Sequence, residues 1–209
     1  MNKNIAKLGY YSSLVAFLAA GGYCIVQILQ VIDVIHYPLD SILILGFSQC
    51  IAPPFLLAIL ALHYRAPNER KIWSHAAIIF AVMYVTYVTL NYAVQLGAVL
   101  PYANPNPVLD QTPHSLFWTV DALGYICMGI STFFASFVFS TTESEKWVKW
   151  FFVANGFVVP LISIVYFYPH YSTALLLLGI PWSITAPGSM LLLAIFFMKQ
   201  SQKQGWNAS

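Results

Sequence analysis

Residues 117–140 read FWTVDALGYICMGISTFFASFVFS. At about 1.5 Å of rise per residue, a helix of this length crosses a hydrocarbon core of roughly 30 Å. The run holds a single charged side chain, Asp121, placed a few residues inside its start. Five further runs of comparable length and polarity flank it, at 8–31, 41–64, 72–96, 147–168 and 173–198. The pattern predicts an all-α integral membrane protein: a single bundle of about six transmembrane helices, forming one polytopic domain over residues 1–209.

Composition leads to the same class. The chain is 59% hydrophobic and 8% charged, with mean hydropathy +0.72. Soluble domains carry about 25% charged residues, and so few charges cannot cover the surface of a water-soluble fold. The alternating segments of about ten residues that build a membrane barrel are absent from the sequence. The first apolar run follows the basic leader MNKNIAK but continues to Ile35, too long for a signal-peptide core, so an uncleaved first span is expected. Cys24, Cys50 and Cys127 each fall inside a span without a C-x-x-C spacing, and are expected to be small buried apolar residues.

Charge sets the expected orientation. The nine basic residues are Lys3, Lys7, Arg65, Arg70, Lys71, Lys146, Lys149, Lys199 and Lys203. With six spans, all nine fall on one side, and the positive-inside rule places both termini in the cytoplasm. That face also carries Glu69, Glu143 and Glu145, so it is net basic and suits anionic lipid headgroups. The opposite half carries Asp33, Asp40, Asp110 and Asp121 without any Lys or Arg. The expected location is a cell membrane, in the style of small bacterial inner-membrane proteins. Nine scattered charges make no nucleic-acid patch. Trp73, Trp147 and Trp150 mark the inner interface and Trp118 the outer one, while Trp182 reads as mid-span.

The same frame sorts the polar residues by depth. Tyr23, Gln27 and Gln30 share one face of the first span, in its outer half. Gln49 lies about two turns down the second span. Tyr84, Tyr87, Asn91 and Gln95 form a stripe on the third, and Asp121, Tyr125, Met128 and Thr132 form one on the fourth. Tyr166 and His170 end the fifth span, and Trp182, Ser183 and Thr185 read toward the middle of the sixth. A polar group facing lipid without a partner costs about 2–7 kcal/mol, so these stripes are expected to face one another or a wet cavity in the outer half of the bilayer.

Asp121 is the one carboxylate in that set, with no base on its side to pair with. Either it is protonated and bonded to an amide such as Gln95 or Asn91, or it stays charged and holds a cation. The candidate binding residues are Asp121, Tyr125, Asn91, Gln95, Tyr87, Gln49, Gln27 and Trp182. Three functions remain open. The first is binding or transport of a small solute or cation, with proton coupling one form of it. The second is an intramembrane enzyme using Asp121 with His114 or His170 as acid–base partner. The third is a helper subunit whose polar stripes pack on a partner. No H-E-x-x-H, G-x-S-x-G, P-loop or dinucleotide motif occurs, so no catalytic residue, metal ligand or cofactor is assigned.

Helix breakers complete the reading. Pro53–Pro54, Pro160, Pro181 and Pro187–Gly188 are expected to kink the second, fifth and sixth spans, with two breaks in the sixth. Gly124 and Gly129 are expected to let helices approach closely. The loop over residues 97–116, with Pro101, Pro105, Pro107 and Pro113, reads as a surface loop or as a lid over the outer mouth. The C-terminal Asn-Ala-Ser matches a glycosylation sequon but falls on the cytoplasmic side of the predicted topology.

Overall fold

The computed structural model describes residues 3–102, 106–143 and 145–206, so Pro105 and the Asn-Ala-Ser sequon lie outside the described residues. The described residues form helices and loops with no strand, and hold seven α-helices: α1 (Lys3–Val31), α2 (Leu39–Arg65), α3 (Lys71–Val94), α4 (Leu116–Ser136), α5 (Lys146–Phe157), α6 (Val159–Phe167) and α7 (Ile180–Trp206). Six segments are long and apolar enough to cross a membrane: Lys3–Val31, Leu39–Arg65, Asn68–Val99, Leu116–Ser136, Lys146–Phe167 and Ala174–Gln202. The chain has the make-up of a multi-pass membrane protein, because lipid leaves backbone polar groups no partner but their own helix.

Neighbours in sequence are neighbours in space. The helices form a closed ring, α1 on α2, α2 on α3, α3 on α4, α4 on α5 and α6, α5 on α7, and α7 back on α1. Apolar side chains gain little by leaving lipid for one another, so such a ring is held by close packing and interhelical hydrogen bonds. The residues at the seams are accordingly small. Ala6, Ala16, Ala52, Ala58, Ala77, Ala81 and Ala135 are fully buried. At Gly124 of α4 a Cβ would stand 2.7 Å from Val88 Cγ2 of α3, so the close approach of these two helices requires glycine there. Larger side chains, among them Phe55, Tyr84, Phe152, Met190 and Phe197, fill the middle.

Helix ends follow local chemistry. α1 stops in a Schellman arrangement: Val34 N donates to Leu29 O (2.9 Å) and Asp33 N to Gln30 O (3.0 Å), with Asp33 at φ 62°. Asp40 stands in the first turn of α2, where a carboxylate suits the helix N-terminus, and its Oδ1 accepts from Ser41 N at 2.7 Å. Ser115 caps α4 by accepting from Trp118 N at 3.2 Å.

The first span begins at Lys3 and not at 8, and three others differ in their ends or continuity. The fourth ends at Ser136 and not at 140. Ser136 Oγ turns back to donate to Phe133 O (2.6 Å), and the chain bends so that Phe139 stands edge-on to Phe152 of α5 and Phe196 of α7. The fifth span is two helices broken at Val158, because Pro160 in the first turn of α6 has no N–H to continue the ladder. The sixth opens with a 3-10 segment, Thr173–Gly179, and α7 begins only at Ile180. Pro181 therefore starts a helix where a proline is tolerated, and Pro187 is the proline inside α7. Trp182 consequently stands in the first turn of α7, within the membrane-length segment Ala174–Gln202. Pro53 and Pro54 lie inside an unbroken α2. Cys50 is exposed, against expectation, while Cys127 is buried and Cys24 partly so.

The end of the bundle that carries Arg65 and Arg70 is drawn together by polar contacts. Arg65 stands 3.7 Å from Glu145 and 5.6 Å from the ring of Phe196, and Arg70 Nη1 donates to Val138 O at 3.1 Å. Glu145 also accepts from Ser140 N (2.7 Å) and Ser140 Oγ (2.6 Å). At mid-depth, Asn155 donates to Thr132 Oγ1 (3.0 Å) and accepts from Thr185 Oγ1 (2.9 Å), tying α4 and α7 to α5 just before the break.

Candidate functional site

A cavity of about 560 Å³ opens at the other end of the bundle. It is bounded by the last turns of α1 and α3, the first turns of α2 and α4, the end of α6, the 3-10 segment and part of the α3–α4 loop. Its size lies in the range of small-molecule sites, roughly 300–1,000 Å³.

Asp121 lies on its wall, 4% exposed. Oδ1 accepts from Tyr92 OH (2.7 Å) and Asn91 Nδ2 (3.2 Å), and Oδ2 accepts from Tyr166 OH (2.6 Å). Both tyrosine distances lie in the usual range for O–H···O hydrogen bonds, about 2.5–3.0 Å. Tyr92 OH also meets Tyr125 OH at 3.2 Å, and Asn91 Nδ2 reaches Gln111 Oε1 of the loop at 3.3 Å. α3, α4 and α6 thus converge on one side chain. Helix α6 brings Tyr166 there from beyond the break at Val158.

Around this centre runs a chain of aromatic contacts. Tyr171 stands edge-on to Trp118 (5.8 Å), Trp118 packs on Tyr166 (4.5 Å), and Tyr166 is 6.4 Å from Tyr125. Trp182 sits between Tyr125 (5.2 Å) and Tyr23 (5.4 Å), edge-to-face with both. The facing wall is polar. Gln27 Nε2 donates to Gln30 Oε1 (2.8 Å), and Gln30 Nε2 donates to Asp40 Oδ2 (2.7 Å). Gln27, Gln30, Ser41 and Ser48 line that side, and Asp110 and Gln111 line the mouth. Among the described residues no Lys or Arg lines the cavity. The loop is anchored over this end by Gln95 Nε2, which donates to Leu109 O at 2.7 Å.

Of the residues expected at a site, Asp121, Tyr125, Gln95 and Gln27 line the cavity, Asn91 bonds Asp121, and Trp182 backs Tyr125. Two others point elsewhere. Gln49 reaches Thr89 Oγ1 at 3.5 Å, and Tyr87 is half-buried in the α3–α4 seam near Gly124. Neither His114 nor His170 is among the donors to Asp121; His170 packs edge-on to Tyr168 at 6.3 Å. Among the described residues no group of three or more His, Cys, Asp or Glu is arranged to hold a metal ion.

Tyr92 and Gln111 are the site residues that sequence periodicity misses. Tyr92 lies about 100° round α3 from Asn91, off the stripe, and only the packing of α3 between α2 and α4 buries both faces. Gln111 belongs to the loop, where no period applies. No protein-family model matches this chain, and no curated protein or solved structure gives a significant match.

Proposed function

We propose that this chain is a multi-pass protein of a cell membrane, of bacterial inner-membrane type, that binds and transports a small cation or cationic solute through the cavity around Asp121. Both termini and the basic loops face the cytoplasm, against anionic lipid headgroups, and the cavity faces outward. The positive-inside rule supports that orientation: all nine Lys and Arg belong to the termini and to the loops opposite the cavity.

The observation that carries the reading is Asp121 itself. It is a nearly buried carboxylate that accepts from Tyr92, Asn91 and Tyr166, none of them basic, on the wall of a cavity that, among the described residues, no Lys or Arg lines. A carboxylate inside a membrane protein is costly to keep, and an asparagine would serve for holding helices together. Its charge instead makes the cavity a place where a positive ligand is favoured. The cluster joining Arg65, Glu145, Arg70 and Val138 supports transport, since it draws the bundle together at the end opposite the open cavity.

The test is a thermal-shift panel of inorganic and organic cations on the purified protein in detergent, wild type against Asp121→Asn. Cations should raise the Tm of the wild type and leave the variant unmoved. Equal responses in a folded variant would remove Asp121 from binding.

A further inference from the structure

The chemistry of the ligand follows from what Asp121 can offer. A carboxylate presents about four acceptor positions over its two oxygens. Oδ1 of Asp121 is occupied by Tyr92 and Asn91, and Oδ2 by Tyr166. The fourth donor is Gln111 of the loop, the weakest of the four around the carboxylate and the one an incoming ammonium would displace. A single acceptor is a poor seat for a calcium or magnesium ion, which takes six or more oxygen ligands. It is the right seat for one N–H of an ammonium.

The surroundings fit the rest of such a molecule. Trp118, Tyr125 and Tyr166 pack in sequence beside the carboxylate, and ring faces attract a cation within about 6 Å. Across the cavity, Ser48 is 2% exposed and lines the wall, yet its Oγ has no hydrogen-bond partner. The same wall carries Gln27, Gln30 and Ser41, which suit a second polar group on the ligand.

We infer that the ligand is a monoprotonated organic amine, its ammonium donating to Asp121 Oδ2 and its body held among Trp118, Tyr125 and Tyr166. This rests on the reading of the cavity as a binding site and narrows it to one class. The class differs from metal ions, which need more ligands, and from quaternary ammonium ions, which have no N–H to give.

The experiment is calorimetry and thermal shift on the full-length protein in detergent with four probes: 2-phenylethylamine, its neutral counterpart 2-phenylethanol, trimethyl(2-phenylethyl)ammonium, and magnesium chloride. The inference expects the amine to bind at least about tenfold more tightly than the alcohol and the quaternary ion, a difference of one hydrogen-bonded charge. Asp121→Asn should erase that preference, and the comparison among probes in the wild type stands even where the variant fails to fold. Equal binding of amine and alcohol would overturn the amine class while leaving a solute site in place. Preference for the quaternary ion or for magnesium would overturn the class while leaving a cation site. Binding of none of the four would overturn both this inference and the function proposed above.

Discussion

Tyr166 donates its hydroxyl to Asp121 Oδ2 at 2.6 Å, and this bond joins the far half of a broken span to the carboxylate of α4. The helix break and the site are therefore one construction. Val158 ends the regular ladder, Pro160 starts α6 afresh, and α6 is then free to point Tyr166 inward. Tyr166→Phe removes the one donor on Oδ2 and keeps the ring packed on Trp118. A hydrogen bond to a charged group contributes about 1.5–3 kcal/mol, so the variant should lose stability of that order in thermal unfolding in detergent. A Tm equal to the wild type's would show that α6 is held without this bond.

Tyr92→Phe should cost more than Tyr166→Phe. Tyr92 is 3% exposed and its hydroxyl bonds both Asp121 Oδ1 (2.7 Å) and Tyr125 OH (3.2 Å), so deletion leaves a second hydroxyl without that partner. The expected loss is about 2–4 kcal/mol, one charge-assisted bond plus a weaker neutral one. The combination Tyr92→Phe with Tyr125→Phe should cost less than the sum of the two single changes, because residues in one network couple. Unfolding of the four proteins side by side gives the answer. Strict additivity would separate the two tyrosines.

How much of this was legible in the chain depends on what each feature rests upon. The six spans were, since hydrocarbon thickness fixes their length and composition fixes their polarity. Asp121, Tyr125, Asn91, Gln95 and Gln27 were legible as members of stripes, because helical period and helix direction together give face and depth. Trp182 was legible as a neighbour of that set, whereas the 3-10 segment Thr173–Gly179 that precedes its helix was not. Tyr92 was hidden because a stripe describes one face, and α3 is buried on two. Gln49 lies off the cavity lining, where the second helix contributes Ser48, one residue earlier and about 100° round the helix.

Gly124 is a second point at which sequence and packing agree. Its absent side chain is occupied space: a Cβ there would stand 2.7 Å from Val88 Cγ2. Gly124→Ala should destabilise by about 1–3 kcal/mol, the range for overpacking a close-packed site. Val88→Ala in the same protein should recover part of that loss by removing the methyl in the way. Absence of rescue in the double variant would place the strain elsewhere than at Val88.

At the opposite end, Arg65 and Glu145 form an ion pair of 3.7 Å with both side chains partly exposed to solvent. Such a pair contributes about 0–1 kcal/mol, so Arg65→Ala should change stability little. Glu145→Ala should cost more, because Glu145 Oε2 also accepts from Ser140 N and Ser140 Oγ at 2.7 and 2.6 Å, and these bonds hold the turn that follows α4. That turn sets Phe139 between Phe152 and Phe196, and Arg70 holds it from the side through Val138 O. If this cluster closes the basic end during transport, both variants should speed the leak of a bound cation from reconstituted vesicles, and Glu145→Ala the more strongly. The measurement is efflux of a preloaded organic cation against empty-vesicle controls. A Glu145→Ala protein that folds and leaks no faster than the wild type would show that the bundle is sealed at mid-depth, where Asn155 ties Thr132 to Thr185, and not at Arg65.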